Sequence, residues 1–270
     1  MTVILALKSA EGLVLATDSQ ATQQMPGSTP VKSEAVKLVK HGDHMIWAGT
    51  GAQGSNQRVE LLLTRNREML ERRHDRHAIG SAIHQCGNEV QKASHTAFVQ
   101  YSAQAQVESW GGIFCGCAAD GLFIAEVDAN GGWQFHPEVA ATGSGYAFAF
   151  LAAASVKHHN VATKSLDHAK ALAFRAIELT CDTAAFGVGL PVQLGVVTED
   201  GAEILSEAEI TGLKETVNLW KQAEVDALGS TLAGGSADVS IEAEEADDPG
   251  LDAPDPVGTD PESGASDPAA

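Results

Sequence analysis

The sequence predicts an α+β fold of four layers, an αββα sandwich in which two antiparallel sheets stack on each other and helices cover both outer faces. The chain alternates groups of short strands with pairs of helices, whereas a parallel doubly wound sheet would alternate them singly. Its opening strands are apolar on both faces, which is typical of a sheet covered on both sides. The turns "SAEG", "DG" and "NGG" separate neighbouring strands and indicate antiparallel hairpins.

The elements are expected in the order strands, two helices, strands, two helices, strands. Apolar runs bounded by turn residues predict strands over residues 2–8, 12–18, 34–40, 44–49, 112–119, 121–128 and 132–137. The first helix is predicted by the spacing of Val59, Leu62, Leu63, Met69 and Leu70. Similar patterns predict helices over residues 78–99, 144–158 and 165–180, and a last hairpin is expected over residues 191–206.

Composition excludes several classes of function. A chain of 270 residues with 44% hydrophobic content can bury one sizeable core. The formal net charge of −19 disfavours binding to nucleic acid or to anionic membranes, because both need clustered lysine and arginine. No apolar run approaches the roughly 20 residues that cross a bilayer, and the N-terminus lacks the pattern of a signal peptide. We therefore expect a cytoplasmic protein.

The C-terminal segment differs in composition from the rest of the chain. Residues 229–270 contain no lysine, arginine, histidine or aromatic residue and are rich in aspartate, glutamate, proline, glycine, serine and alanine. Such a segment cannot bury enough apolar surface to offset the entropy of ordering it. We expect a folded domain over residues 2–222 and an acidic, disordered tail over residues 223–270 that keeps the protein soluble or tethers it.

Neither a metal nor another cofactor is expected. The irregular spacing of the cysteines favours buried free thiols over a disulfide framework. None of the ten histidines has the spacing of a zinc-binding helix or finger. The four cysteines are Cys86, Cys115, Cys117 and Cys181.

Thr2 directly follows the initiator methionine. Removal of Met1 would leave Thr2 with a free α-amino group next to its hydroxyl. A threonine hydroxyl needs a general base to act as a nucleophile, and an α-amine with an ordinary pKa of about 8 can serve as that base. The alternative interpretation is that a β-branched residue simply begins a strand.

Residues 2–206 resemble the proteasome β-type subunits and their bacterial HslV-type relatives, which are N-terminal nucleophile (Ntn) hydrolases. The resemblance begins with the hairpin "TVILALKSAEGLVLATDSQAT" and continues, in family order, with "AVKLV", "IWAGTG", "ATGSGYAFA" and "ELTCDTAAF". It implies the Ntn-hydrolase fold, threonine endopeptidase activity and a catalytic set at the matching positions. That set is Thr2, Asp18, Lys37, Gly49, Ser144 and Asp182.

The first three residues would form the reacting group and its electrostatic environment. The resemblance implies that Thr2 supplies both the nucleophile and the base, and that the Lys37 ammonium lowers the proton affinity of both groups. Asp18 would hold Lys37 in place by a buried ion pair. Their ordinary alternatives are a turn-capping aspartate and a surface lysine. Lys32 is a second candidate for the tuning lysine, because the loop between Asp18 and Lys37 is slightly longer than is usual in the family.

The other three residues would bind the oxyanion and orient the amine. Gly49 would offer its backbone N–H to the oxyanion of an acyl-transfer intermediate, with Gly51 as a nearby competitor for this role. Ser144 and Asp182 would hydrogen-bond near the Thr2 amine, although a helix N-cap and a helix end explain them equally well. Ala185 departs from the family, which often has a serine there that completes the hydrogen-bond set.

The resemblance also implies how substrate binds and which partners act. An extended peptide would lie between the "SQAT" and "AGTG" segments, which contain Gln20, Ala21, Thr22 and Gly51. Trp47 would shape the side-chain pocket, or is a core aromatic. Homo-oligomeric rings would enclose the sites and degrade unfolded polypeptides. An ATP-dependent unfoldase would be a separate protein, since the chain has no Walker A motif.

Two other classes of function remain open at this point. The first is a ring-forming subunit that has kept the fold and lost activity, which the replacement by Ala185 favours. The second is a non-proteolytic amidohydrolase or acyl transferase that uses the same threonine. In either catalytic class only Met1 would be removed, because no longer propeptide precedes Thr2, as in the HslV-type arrangement.

Overall fold

The computed structural model describes residues 2–23, 29, 31–101, 110–129, 131–155, 157–183 and 187–233. The chain divides into two compact units, Met1–Asp226 and Ala227–Ala270. Residues 227–233 are the described part of the second unit, and they are helical. None of the helices in the described ranges has the length and apolarity that would let it span a membrane.

The described residues form twelve strands and five α-helices. The strands are β1 (Val3–Lys8), β2 (Leu13–Asp18), β3 (Gln20–Gln23), β4 (Val31–Glu34), β5 (Leu38–His41), β6 (Met45–Thr50), β7 (Gly111–Ala118), β8 (Gly121–Val127), β9 (Trp133–His136), β10 (Val139–Gly143), β11 (Val192–Val197) and β12 (Ala202–Ile204). The α-helices are α1 (Gln53–Arg65), α2 (Arg76–Tyr101), α3 (Tyr146–Ser155), α4 (Leu166–Thr183) and α5 (Glu207–Ala233). Short 3-10 helices cover Arg67–Leu70, Lys157–His159 and Val161–Thr163.

The strands form two five-stranded antiparallel sheets and one separate hairpin. The first sheet has the strand order β10-β1-β2-β11-β12, and the second has the order β5-β6-β7-β8-β9. Strands β3 and β4 pair only with each other in the described part of the chain. In the first sheet Ile4 pairs with Thr17, and Asp18 pairs with Val192. The N-terminal end of β1 therefore lies beside the C-terminal end of β2.

Three hydrophobic clusters show that the sheets and helices form four layers. Alternate residues of β1 face opposite sides: Ile4 packs between the two sheets, whereas Leu5 packs beneath α3, α4 and α5. A third cluster, which includes Trp47 and Trp110, fills the space between the second sheet and helices α1 and α2. The arrangement is the αββα sandwich that the element order predicts, so the fold-class prediction is confirmed.

The structure adds two strands and one break to the predicted strand pattern. Strands β3 and β10 were not predicted from the sequence. In the case of β10, the strand consists mostly of small residues, and its partner, β1, is far away in the chain. Of the single strand predicted over residues 34–40, only Glu34 lies in β4 and only residues 38–40 lie in β5, so the predicted strand is broken between them. The break leaves Lys37 on a short non-strand segment between them.

Helix α5 is a further difference, and it crosses the predicted domain boundary at residue 222. Its start is fixed by a capping box: the Ser206 hydroxyl and backbone N–H both donate to Glu209 Oε2, at 2.7 Å. Ile210, Leu213 and Val217 then pack on the first sheet's outer cluster. The helix then continues to Ala233. Residues 223–233 are therefore helical, and the rest of the predicted tail lies outside the described residues.

Candidate active site

The backbone of Thr2 is held by the turn that follows β10. The Thr2 N–H donates to Ser144 Oγ at 3.3 Å, and the Ser144 hydroxyl donates to the Thr2 carbonyl at 3.4 Å. The Gly145 N–H also donates to that carbonyl, at 3.3 Å. Gly143 has a φ of +92°, and a Cβ there would lie 2.2 Å from the Thr2 carbonyl oxygen. Glycine is therefore required at Gly143 both for its backbone conformation and for the close approach of Thr2.

The Asp18 carboxylate lies fully buried beside Thr2 and accepts four hydrogen bonds. Oδ1 accepts the Val3 N–H at 3.0 Å and the Lys37 ammonium at 2.8 Å. Oδ2 accepts the backbone N–H groups of Gln20 and Gly189, both at 3.1 Å. Charge-assisted bonds of this kind compensate the cost of removing a carboxylate from water. Asp18 thus ties together β1, β3, the segment before β11 and Lys37.

The Lys37 side chain is 8% exposed and forms a buried ion pair with Asp18. Burial lowers the pKa of Lys37 below its ordinary value of 10.5, although the neighbouring Asp18 charge and hydrogen bond act to raise it. The net direction is downward, so this ammonium gives up its proton more readily than a lysine in water. Lys32, the alternative tuning lysine, lies exposed in β4 and pairs with Thr22 of β3.

Gln193 of β11 fixes the segment that carries Lys37. Its Oε1 accepts the backbone N–H groups of Lys37 at 2.9 Å and Leu38 at 3.1 Å. Its Nε2 donates to the Ala35 carbonyl at 2.7 Å. One side chain therefore satisfies three backbone groups that the break between β4 and β5 leaves without strand partners. Gln193 is not among the residues predicted from the sequence, where its signal is a single amide in an otherwise apolar strand, "VQLGVV".

Replacing Gln193 with alanine should lower catalysis about 10- to 100-fold, because the backbone around Lys37 would lose its three side-chain bonds and shift. The rate of peptide hydrolysis as a function of pH is the informative measurement, since a displaced Lys37 changes the pH profile as well as the rate. Gln193→Glu keeps the acceptor and loses the donor, so it should give an intermediate effect. Gln222→Ala on exposed α5 should change neither quantity, and equal profiles for Gln193→Ala and wild type would contradict the positioning role.

Gly49 lies in β6 just beyond the point where β5 begins. Leu38 pairs with Ala48, so continuing the register by one residue brings Lys37 opposite Gly49. A Cβ on Gly49 would lie 2.2 Å from Asn56 Oδ1 and 3.0 Å from Trp110 Nε1, which itself donates to Asn56 Oδ1 at 2.8 Å. A side chain at position 49 would therefore displace the Asn56 side chain, which favours glycine here independently of any oxyanion role.

Gly51 and Trp47, the other two predicted residues of this strand end, differ in their surroundings. Gly51 is exposed, has a φ of +96°, and lies between β6 and α1. Trp47 is 1% exposed, donates its Nε1–H to Glu60 Oε2 at 3.0 Å and stacks on Phe114. Its side chain packs beneath α1 and α2, as in the alternative interpretation of a core aromatic. Its contribution to a substrate pocket stays a prediction.

Asp182 is exposed on the last turn of α4. Within the described residues its carboxylate forms no hydrogen bond with Thr2 or Ser144, so the predicted amine-orienting contact is not present. Its neighbour Cys181 is the closer link between α4 and the site: burial, together with the Asp18 and Asp182 charges, raises the pKa of the Cys181 thiol to about 12. Ala185 lies outside the described residues.

The remaining predicted substrate residues lie on β3, next to Asp18. Gln20, Ala21 and Thr22 are half-buried, and Gln20 Nε2 donates to Thr22 Oγ1 at 3.4 Å. Strand β3 already pairs with β4 along one edge, from Gln20 opposite Glu34 to Gln23 opposite Val31. In the described ranges no group of three or more histidine, cysteine, aspartate or glutamate side chains is arranged to hold a metal ion.

The αββα sandwich of two antiparallel sheets between helix layers is the fold of the Ntn-hydrolase class of protein. The family model described as "Proteasome subunit" matches residues 2–189, and the chain belongs to this family. No protein of curated function matches the sequence significantly.

Three solved structures with this fold are Anbu proteins. An Anbu (Gly-1) mutant from Hyphomicrobium sp. strain MC1 is 14% identical, with a TM-score of 0.63 over 85% of this chain and 97% of that chain. Anbu, described as an ancestral β-subunit, from Yersinia bercovieri is 14% identical, with a TM-score of 0.65 over 84% and 96%. The helical assembly of the Anbu complex from Pseudomonas aeruginosa is 15% identical, with a TM-score of 0.65 over 84% and 95%. At these identities the likeness concerns the fold.

Proposed function

We propose that the chain is an N-terminal-threonine peptidase, a subunit of a self-compartmentalised protease that hydrolyses peptide bonds of unfolded polypeptides after removal of Met1. The observation that carries the proposal is the buried Asp18–Lys37 pair beside the backbone of Thr2. Burying such a pair is costly, and a fold that only needed stability could replace it with apolar residues. A buried cation beside an N-terminal hydroxyl and amine is the arrangement that activates them.

In the proposed reaction the Thr2 hydroxyl oxygen attacks the carbonyl carbon of the scissile peptide bond, and its proton passes to the Thr2 α-amine. The resulting oxyanion is stabilised by backbone N–H donation at the β6 end, from Gly49. Collapse of this intermediate breaks the C–N bond, and the α-ammonium returns the proton to the leaving amine. The product is an acyl ester on Thr2 and a released peptide with a new N-terminus.

The second half of the reaction repeats these steps with water. The free Thr2 amine takes a proton from water, whose oxygen attacks the ester carbonyl. Collapse releases the carboxylic acid product and returns the proton to the Thr2 oxygen. Lys37 holds a positive charge near both groups throughout and so favours the deprotonated hydroxyl and the neutral amine. Ser144 keeps the Thr2 backbone in position for both steps.

The proposal also covers the oligomeric assembly of the chain and its partner proteins. A homo-oligomer with the sites on an enclosed face would keep folded proteins away from Thr2, and membership of the proteasome family supports such an assembly. The helical assembly of the Anbu complex from Pseudomonas aeruginosa raises an open spiral as an alternative to closed, stacked rings. An HslV-type arrangement, a separate ATP-dependent unfoldase and a cytoplasmic location remain predictions.

A catalytically impaired assembly subunit is the second candidate function. The observation that favours it is the exposed Asp182, which in the described residues does not bond to Thr2 or Ser144. Without that contact the Thr2 amine has one orienting partner fewer than the resemblance implies. In this case the chain would form the oligomer and leave cleavage to another subunit.

Two measurements on the purified full-length chain separate the candidates. Light scattering gives the size of the assembly, and a panel of fluorogenic peptides together with an unfolded protein substrate gives the activity. An oligomer that cleaves peptides supports the peptidase, whereas an oligomer without cleavage supports the impaired subunit. Cleavage of small amides alone, with peptides untouched, would contradict both and indicate a non-proteolytic amidohydrolase.

A further inference from the structure

Thr17 places a hydroxyl in the apolar layer between the two sheets. Along β2 the side chains of Leu13 and Leu15 pack in this layer. Alternate residues of a strand face the same side, so Thr17 continues this row. It lies opposite Ile4 of β1, which packs in the same layer, and it is 0% exposed. The pattern favours an apolar residue at this position, because a buried hydroxyl costs stability unless it forms a hydrogen bond.

The Thr17 hydroxyl donates to the backbone of β1. Its Oγ1 lies 2.8 Å from the Val3 carbonyl oxygen and 3.2 Å from the Asp18 carbonyl oxygen. A hydroxyl has one proton to donate, so the shorter contact identifies the Val3 carbonyl as its main acceptor. The hydrogen bond therefore ties β2 to the residue that directly follows Thr2.

Val3 is held by side chains on both of its peptide groups. The register of β1 with β2 extends as far as Ile4. At Val3, one residue further, the N–H donates to Asp18 Oδ1 at 3.0 Å and the carbonyl accepts the Thr17 hydroxyl. Peptide groups are planar, so fixing the two planes that flank a Cα atom leaves the backbone little freedom to rotate there. The two side chains therefore fix the direction in which Thr2 leaves the strand.

The same contacts link Thr2 to the charge of Lys37. Asp18 Oδ1 accepts both the Val3 N–H and the Lys37 ammonium, the latter at 2.8 Å. The peptide group that contains the Val3 N–H also contains the Thr2 carbonyl. A rotation at Val3 would move this N–H away from Asp18 and change the distance between Lys37 and the reacting groups of Thr2. The effect of the ammonium on those groups weakens as that distance grows.

We infer that Thr17 is a positioning residue: its hydroxyl, acting through Val3, holds Thr2 at the distance from Lys37 that the reaction requires. The inference rests on the proposed peptidase function. Thr17 acts only through the backbone of β1. Valine has nearly the same shape as threonine and would fill the same space in the apolar layer, so packing alone does not account for the hydroxyl.

Steady-state kinetics of Thr17→Val with a fluorogenic peptide tests the inference. Valine keeps the shape of the side chain and removes the hydroxyl. We expect kcat to fall about tenfold or more and KM to stay within about twofold, because misplaced reacting groups slow the chemical step more than they weaken binding. The acid limb of the pH profile of kcat/KM should move upward by about half a pH unit, since a Thr2 amine further from the Lys37 charge has a higher pKa. Thr17→Ser restores the hydroxyl and should return both quantities to near wild type.

Thr198→Val is the matched control, because it removes a half-buried hydroxyl at the other end of the same sheet. Thr198 Oγ1 accepts the Asp200 N–H at 3.2 Å in the turn between β11 and β12. The neighbouring Val197 pairs with Leu13, at the end of β2 away from Thr17. The control should lower the midpoint of denaturant unfolding slightly and leave kcat and the pH profile unchanged.

Chemical labelling of the Thr2 α-amine separates this inference from the proposed function. The rate at which an acylating reagent modifies the amine, followed by mass spectrometry of the N-terminal peptide as a function of pH, gives the amine pKa without peptidase activity. A pKa that rises in Thr17→Val and recovers in Thr17→Ser, in a chain that does not cleave peptides, would support the positioning role and contradict the proposed function.

Two results would overturn the positioning role and leave the proposed function intact. The first is cleavage by Thr17→Val at the wild-type rate with an unchanged amine pKa. The second is an equal loss of kcat in Thr17→Val and Thr198→Val, which would assign the effect to stability. If Thr17→Val does not assemble, Thr17→Ala, which removes the same hydroxyl from a smaller side chain, is measured in its place with the same expected results.

Discussion

Replacing Thr2 with alanine is expected to lower peptide hydrolysis at least about 10³-fold while leaving the fold and the assembly unchanged. The alanine keeps the α-amine, the backbone bonds to Ser144 and Gly145, and the strand, and it removes only the attacking oxygen. Thr2→Ser keeps that oxygen and should retain measurable activity. The measurement is the rate of cleavage of a fluorogenic peptide at enzyme concentrations matched by light scattering.

The control for this substitution is Thr211→Ala, which removes an exposed threonine hydroxyl from α5 far along the chain. It should leave the rate and the size of the assembly within experimental error of wild type. If Thr2→Ala cleaved peptides at the wild-type rate, the nucleophile would be another residue and the proposed reaction would be wrong. If Thr2→Ala lost the assembly as well as activity, its inactivity would not identify the nucleophile, and the activity retained by Thr2→Ser would be the evidence for the role of the hydroxyl.

Replacing Lys37 with methionine should lower both stability and activity. The Asp18 carboxylate would stay buried with its three backbone donors but without a cation. Removing one partner of a buried ion pair typically lowers the free energy of unfolding by about 3–5 kcal/mol. Because the backbone bonds to Asp18 remain, we expect a loss near the low end, at about 3 kcal/mol. Peptide hydrolysis should fall at least about 100-fold, because the charge that favours the reactive form of Thr2 is gone. Denaturant unfolding and the peptide assay give the two quantities.

Lys32→Met is the matched control for the loss of a lysine charge, since Lys32 is exposed in β4 and was the alternative tuning lysine. Its unfolding free energy should stay within about 0.5 kcal/mol of wild type. Loss of activity in Lys32→Met with full activity in Lys37→Met would reverse the assignment. A Lys37→Met protein as stable as wild type would show that the Asp18 charge is compensated by its backbone donors alone.

Local sequence signals explain why the fold class and the part of the site formed by the first hairpin could be predicted. The first hairpin is short, its turn chemistry is explicit, and its register places Asp18 opposite the start of β1 without any distant contact. The four-layer order followed from counting groups of strands and helices. The contact between Lys37 and Asp18 was implied by family resemblance and not by spacing, because it joins the end of β2 in the first sheet to the non-strand segment before β5.

Long-range contacts explain what the sequence did not show. Gln193 acts on residues 35–38 from a strand more than 150 positions later, and only the folded structure brings the two together. The side chain of Asn56, on α1, occupies the space that a Cβ at position 49 would need, and this contact is visible only in the folded structure. The start of helix α5 has a sequence signal in the capping box of Ser206 and Glu209. The helix was not predicted, because the acidic composition of the C-terminal segment led to a disordered tail being expected from residue 223.

The identity of the chain's reacting group is the central claim, and mass spectrometry of the N-terminal peptide tests it most directly. The full-length protein is treated with an electrophilic, threonine-directed inhibitor, digested and compared with an untreated sample. The account predicts that Met1 is absent and that the inhibitor is attached to Thr2, with none on Cys181, whose raised pKa keeps its thiol protonated. Retained Met1, or an adduct on any residue other than Thr2, would contradict it.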